Sequence, residues 1–157
     1  MTNWKYKGKA IDRISLFPEG CIGFVYKICD DKGKCYIGCK SLWSHTNPKV
    51  SEAVYNKAKA SGEAVKKTKN KKLSKKGAVV WEFRRVQKKE SNWIKYQSSN
   101  TELKKKKNVS KEIIDFAFSK KQLTYKELKW MFHYKVLEAP DFYNDNILGK
   151  FYRRDLE

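Results

Sequence analysis

No run of apolar residues in this chain is long enough to cross a bilayer, no secretory leader pattern follows Met1, and no acylation motif is present. Membrane-spanning, exported and lipid-anchored proteins are therefore set aside, and a soluble, cytoplasmic protein is expected. Acid is scarce: 17 Asp and Glu face 36 Lys and Arg in 157 residues, a formal net charge of +19. The usual zinc-ligand spacings are missing as well. Cys21, Cys29, Cys35 and Cys39 crowd one stretch, at spacings that fit neither the CxxC pairs of a zinc ribbon nor a two-Cys, two-His finger. Reduced thiols packed in or beside strands are expected instead. No helix-turn-helix pattern is found either.

The excess of positive charge points to a polyanion. Lysines far outnumber arginines, which suits sequence-tolerant contacts to phosphate better than bidentate reading of bases. Charge alone does not separate DNA from RNA or from an anionic membrane; the missing span and anchor favour nucleic acid. Five Trp, nine Tyr and eight Phe are enough for a core, so one domain over residues 1–157 is expected rather than a basic tail.

Turn chemistry and alternation organise the first third. Ala10 to Phe17 reads as a strand closed by Pro18-Glu19-Gly20. Asp30-Asp31-Lys32-Gly33 is then flanked by alternating apolar residues, so Val25 to Cys29 and Lys34 to Cys39 should form an antiparallel hairpin. Side chains at even spacing share a face, which lets Tyr26 and Tyr36 present hydroxyls to one surface. His45 follows soon after, a proton carrier or phosphate donor on one reading and an ordinary loop histidine on the other.

From residue 44 to 92 the character changes to a basic insert. Pro48 opens a helix expected over Val50 to Ala60, and Gly62 can end it. Lys66, Lys67, Lys69, Lys71, Lys72, Lys75 and Lys76 then form a like-charge block, either a solvated loop or an arm laid along a phosphate backbone. Ala78 to Val86 reads as a strand ending on Arg84 and Arg85. Trp93 and Tyr96 interleave with lysines, a mixture that suits base stacking but also core filling. Tyr96 to Lys107 reads as a capped helix with a basic face.

Glu127 stands out on helical geometry alone. At about 100° per residue, Leu123, Trp130, Met131, Tyr134 and Leu137 fall within roughly 80° of it, so an acid sits mid-stripe on an apolar face. A carboxylate there is costly unless a cation, a metal or donors meet it. A capping box Thr124-x-x-Glu127 is the plainer reading, and an earlier start at Ser119-x-x-Gln122 would put Glu127 inside the helix. Further on, Asn144 within Asn144-Asp145-Asn146 reads as an Asx turn. Lys150-Phe-Tyr-Arg153-Arg154 gives a basic, aromatic end.

Taken together, these segments resemble the GIY-YIG nucleases. Phe24-Val25-Tyr26 stands where the family has GIY, Tyr36-Ile37-Gly38 matches YIG, and Tyr143-Asn144 resembles the family's late asparagine motif. The resemblance covers about residues 22–40 and 96–148. Phage-type, homing-endonuclease-like members join such a hairpin to a lysine-rich insert and a W-x-x-Y-x-S-S segment, here Trp93 to Ser99. It implies an α+β fold, with a small antiparallel three-stranded sheet flanked by helices and the third strand over Asn108 to Phe118. By the same resemblance Glu127 binds one Mg²⁺ or Mn²⁺ ion, Tyr26 or Tyr36 takes a proton from the attacking water, and Asn144 supports the site. No small-molecule cofactor is implied, and the substrate is DNA, taken as double-stranded. The family's arginine, in a helix of the form SSxNLxxR, has no counterpart: the position falls on Lys106, with Lys40, Arg84 and Arg85 as alternatives. That gap supports a competing reading, a catalytically impaired nucleic-acid-binding protein. A basic partner for an acidic protein is a third. Oligomeric state is left open by the sequence.

Overall fold

A computed structural model describes residues 3–71, 73–74 and 78–156. In chain order the elements are β1 (Trp4–Tyr6), β2 (Lys9–Ile11), β3 (Gly23–Asp30), β4 (Cys35–Ser41), β5 (Trp43–Thr46), β6 (Lys49–Val50), α1 (Glu52–Ala60), β7 (Val65–Lys69), β8 (Trp81–Arg85), β9 (Gln87–Glu90), α2 (Thr101–Lys105), β10 (Val109–Ala117), α3 (Lys120–His133), β11 (Asn146–Ile147) and β12 (Phe151–Tyr152). They fall into two compact units, one from Met1–Leu42 with Ser91–Glu157 and the other from Trp43–Glu90.

The expected hairpin organises the first unit. β3 and β4 pair antiparallel with Tyr26 opposite Gly38 and Ile28 opposite Tyr36. Asp30 builds the turn: its Oδ1 accepts from the Lys32 and Lys34 amides at 3.0 and 2.9 Å, and Gly33 supplies the left-handed φ of 81°. Its Oδ2 accepts from the Tyr143 hydroxyl at 2.7 Å. Cys29 and Cys35 face each other across the pair and are disulfide-bonded, which corrects the expectation of four reduced thiols; Cys21 and Cys39 are free.

The sheet is wider than expected. β10, the anticipated third strand, pairs antiparallel with β3, so the order β10-β3-β4 holds. Outside it, β1 runs parallel to β10 and β2 folds back on β1, giving five strands in the order β2-β1-β10-β3-β4 rather than three. The strand expected over Ala10 to Phe17 ends at Ile11 and gives way to a 3-10 turn at Ile14–Leu16. Trp4 is what draws this segment in. Its ring is buried, meets Phe24 and Tyr26 at 5.0 and 5.4 Å, and its Nε1 donates to the Trp93 carbonyl at 2.8 Å. Trp93 is fully buried, so it fills the core and does not stack on bases.

Both faces of the central strands are covered, which explains the unbroken apolar run Phe24-Val25-Tyr26. On the second face Val25, Ile37, Ala117, Leu123, Met131 and Val136 form a core beneath α3. Ser119 caps α3 by accepting from the Gln122 amide, while Gln122 Oε1 accepts from the Phe118 amide at 2.6 Å. The helix thus starts early, with Glu127 in its interior. Asp115, beside a bulge in β10, ties α3 down: it accepts from Lys126 Nζ at 2.7 Å and from Trp130 Nε1 at 3.1 Å.

The helix expected over Tyr96 to Lys107 is a single turn, α2. Asn100 caps it by accepting from the Glu102 and Leu103 amides, and Gln97 Nε2 donates to the Leu103 and Lys106 carbonyls, closing the other end.

In the second unit β6, β8 and β7 form an antiparallel sheet and β5 pairs with β9. The expected strand over Ala78 to Val86 is confined to Trp81–Arg85. α1 begins after the Ser51 cap and sets Tyr55 on Phe83, ring centres 5.0 Å apart. Among the described residues no helix is long and apolar enough to cross a membrane.

Asp30→Ala leaves two turn amides and the Tyr143 hydroxyl without their acceptor and is expected to cost about 1–3 kcal/mol in urea unfolding at neutral pH. The Tyr143 hydrogen bond, with the turn amides and Lys106, holds the Asp30 carboxyl below the ordinary carboxylate range despite burial. Its contribution is therefore present above the unfolded carboxylate pKa and fades as pH falls through the depressed folded value. The gap between wild type and variant should narrow at acid pH; a gap that widened there would contradict this role.

Candidate active site

Strand alternation brings three of the sequence candidates to one face. With Tyr26 opposite Gly38, Phe24 opposite Lys40 and Ile28 opposite Tyr36, the Tyr26, Tyr36 and Lys40 side chains share the face away from α3. The Tyr26 and Tyr36 ring centres are 6.3 Å apart. Gly38 makes this possible. A Cβ there would lie 2.5 Å from the Tyr26 hydroxyl and 2.8 Å from Cε1 of Tyr36, so any side chain would displace both rings.

Tyr96 joins them. Its hydroxyl lies 3.3 Å from that of Tyr26, and Lys40 Nζ sits 4.3 Å over its ring while donating to Asn92 Oδ1 at 2.8 Å. Lys111, a buried lysine on β10, donates to the Tyr96 carbonyl at 2.8 Å and fixes that segment. Ser99, three residues on, exchanges a 2.7 Å hydrogen bond with the Tyr36 hydroxyl. The W-x-x-Y-x-S-S spacing was the available signal for Tyr96 and Ser99 as site residues. Lys111 gave none, because a lysine in an alternating strand reads as solvent-facing.

Glu127 approaches from the α3 side and is half-buried. Its carboxylate lies against the Cys39 thiol and backbone N–H, on the outer edge of β4. That edge is filled in sequence. The Asp141 carbonyl accepts from the Cys35 amide, and the Asn144 side chain accepts from the Ile37 amide at 3.0 Å while donating to the Ile37 carbonyl at 2.9 Å. Asn144 is thus buried and pairs like an extra strand residue rather than making an isolated Asx turn. Tyr36, Glu127, Asn144 and Asp145 line one pocket of about 190 Å³. A neighbouring hollow of about 400 Å³ shares Asp145 and is lined by Tyr152, Arg153 and the exposed Arg154.

Desolvation dominates the electrostatics. Burial, then the neighbouring Tyr96, pushes the Tyr26 phenol well above its ordinary range. Burial raises Tyr36 as well; the Ser99 hydrogen bond opposes this, and the Glu127 charge adds to it. Burial raises Glu127, with the Cys39 contacts pulling back. The Cys39 thiol, buried beside that carboxylate, is pushed up to about 12 and stays a thiol. Lys40 and Lys111 are lowered by burial. The pocket therefore combines a poorly compensated acid with the raised phenol of Tyr36, while Tyr26 and the partly desolvated Lys40 lie beside it on the strand face.

Other candidates lie elsewhere. Lys106 is at the end of α2, where its Nζ is 3.6 Å from Asp30 Oδ2 at the hairpin turn. His45 is exposed on β5 opposite Lys88, in the second unit. Arg84 donates to Glu82 Oε2 at 2.9 Å and to the Asn47 carbonyl at 2.8 Å, and Arg85 pairs with Glu63. Lys66, Lys67, Lys69 and Lys71 are exposed, whereas Lys72, Lys75 and Lys76 lie outside the described residues. Arg153 is spent on backbone, donating to the carbonyls of Val136, Ala139, Phe142 and Asn144.

The donor set decides whether a divalent ion fits. Among the described residues no three carboxylate, thiol or imidazole groups cluster as ligands. Glu127 is nevertheless a hard oxygen donor facing the pocket, with no ion pair among the described residues. Mg²⁺ characteristically uses one or two carboxylates and completes its octahedron with water and substrate phosphate, so Glu127 fits such an ion.

Asn144→Ala strips the partners from the buried Ile37 peptide and is expected to lower stability by about 2–3 kcal/mol in urea unfolding. A shift within error of zero would mean that the β4 edge closes without it.

The chain matches the family model described as "Putative endonuclease segE, GIY-YIG domain" over residues 4–147. No curated protein and no solved structure matches it. The match runs from β1 into β11, through the hairpin, Tyr96, Glu127 and Asn144 alike. The chain belongs to the GIY-YIG nuclease family.

Proposed function

We propose that this protein is a metal-dependent endonuclease that hydrolyses phosphodiester bonds in double-stranded DNA. The observation that carries the reading is the pocket itself: Glu127, incompletely compensated, and Tyr36 line it together, with Tyr26, Tyr96 and Lys40 beside Tyr36 on the strand face. Glu127 would hold one Mg²⁺ or Mn²⁺ ion, which would supply Lewis-acid polarisation of the phosphate and offset the Glu127 charge that adds to burial in raising the Tyr36 phenol. The Tyr36 oxygen, once deprotonated, accepts the proton of the attacking water as the new P–O bond forms and the bond to the leaving oxygen breaks. Tyr26, buried and hydrogen-bonded to Tyr96, orients this cluster rather than acting as the base. Lys40 steadies the charge that develops on phosphate, taking over the role of the family's arginine although that motif position falls on Lys106. A lysine does so as a point charge without the bidentate fork.

The second unit supplies affinity. Fourteen Lys and Arg against four Glu lie between residues 43 and 90. Lys66, Lys67, Lys69, Lys71, Lys72, Lys75 and Lys76, with Arg84 and Arg85, are its contacts to the phosphate backbone. One observation favours the competing reading of a binding protein without activity: Arg84 and Arg85 are engaged by acids, and no other arginine reaches Tyr26 or Tyr36 in any described contact.

Plasmid nicking in Mg²⁺ separates the two readings. Wild type should cut; EDTA or Glu127→Ala should abolish cutting while leaving binding intact. An inert wild type that binds DNA would favour the binding protein. Because the Tyr36 phenol is raised, its deprotonated fraction grows with pH, so cleavage should climb by up to about tenfold per unit between about pH 7 and 9. Tyr36→Phe should be slow and flat over that range, and an unaltered profile would remove Tyr36 as the base. Replacing the lysines at 66, 67, 69 and 71 by glutamine should weaken binding and flatten the slope of log affinity against log salt by about 0.9 for each phosphate no longer neutralised.

A further inference from the structure

The second unit carries an aromatic side chain that the cleavage chemistry leaves unused. Alternation along the β7-β8 pair puts Trp81, Phe83 and Arg85 on one face with Val65, Lys67 and Lys69. α1 covers part of that face, through Tyr55 on Phe83. Beyond the helix, Trp81 is left 47% exposed, and Leu73, Val79 and Val80 near it in the chain are 61%, 50% and 38% exposed. An exposed indole among charged side chains is an unusual cost for a surface position unless it meets a partner.

The surroundings of Trp81 say what kind of partner fits. Lys69 stands directly opposite it, and Lys67 Nζ lies 4.8 Å over its ring and 5.4 Å from the Phe83 centroid, held between two aromatic faces. The described ends of the following segment are joined: the Asn70 amide donates to the Val80 carbonyl at 2.9 Å and the Val80 amide to Ser74 Oγ at 3.0 Å. An indole on a fixed strand, framed by ammonium groups, is matched by a ligand with a flat π-face on an anionic backbone. A second copy is a poor match, because it brings its own +19 charge to an already basic face.

We propose that the Trp81 face of the β6-β8-β7 sheet is a stacking platform for an unstacked nucleobase, with Lys67 and Lys69 on the flanking phosphates. This rests on the nucleic-acid reading above and sharpens it: the favoured substrate exposes a base, in a single-stranded, frayed or distorted stretch. Trp93, the indole that adjoins the site in sequence, is buried and cannot do this.

Binding is measured on the full chain in EDTA, so that nothing is cut, with a fluorescein-labelled 20-nucleotide single strand, the matching duplex, and a single strand with one internal 2-aminopurine. Wild type should bind all three and change the 2-aminopurine emission. Trp81→Ala should lose about 5–100-fold on the single strand and less on the duplex. Its salt dependence should be unchanged, and its thermal unfolding should match that of wild type because the side chain is exposed. Trp81→Phe, which keeps a ring, should recover most of the loss. Equal affinities and 2-aminopurine signals for wild type and Trp81→Ala would overturn the platform, even if wild type binds and nicks DNA. A wild type that binds no probe would overturn both the platform and the nuclease reading. If sedimentation shows a dimer that Trp81→Ala disperses, the face belongs to a second copy instead.

Discussion

The register of β3 on β4 is the constraint on which the site depends. Tyr26 stands opposite Gly38, and only a residue without a Cβ leaves room for the Tyr26 hydroxyl and the edge of the Tyr36 ring. A slip of β4 by one residue would send Tyr36 and Lys40 to the face under α3 and part them from Tyr26. The register is pinned at the turn end by the Asp30 side chain and the Cys29–Cys35 bridge, and along the outer edge by Asn144 on the Ile37 peptide.

That outer edge also explains how the site is divided. β4 is the last strand of its sheet, so its outward amides need partners, and an unpaired edge is a liability. The chain meets them in turn with a carbonyl, an amide side chain and finally the Glu127 carboxylate. Glu127 thereby reaches the strand from the helix face, while the tyrosines sit on the opposite face. The pocket forms where the two approaches meet around Tyr36. A wholly apolar environment would protonate such an acid, and a strong ion pair would neutralise it. The Cys39 contacts do neither: they pull back only part of the rise that burial gives the Glu127 carboxyl.

Lysine, not arginine, is the cation on the tyrosine face and sets its character. Lys40 is partly desolvated, lies over Tyr96 and is anchored by Asn92, so its charge is positioned even though it lacks a planar fork. Lys111 plays a different part, spending a buried ammonium on the Tyr96 carbonyl. In the second unit lysines instead remain exposed around aromatic rings, where charge is cheap to keep and available to phosphate.

Much of this was legible locally. Turn residues and alternation gave the hairpin, the α3 stripe gave Glu127 on an inward face, and ordered motifs gave the family, because each is a short-range pattern written in adjacent residues. Long-range pairing was not. The parallel docking of β1 on β10, the burial of Trp93, the one-turn α2 and the Cys29–Cys35 bridge all depend on which surfaces meet. The sequence by itself determined the charge, the hairpin and the helix that carries the acid. Only the tertiary structure decided that Tyr96 and Lys111 belong to the site and that Lys106 turns away to Asp30. Those choices depend on burial and on hydrogen bonds between residues far apart in the chain, 70 positions in the case of Tyr26 and Tyr96. No periodicity within a single element can encode such pairings.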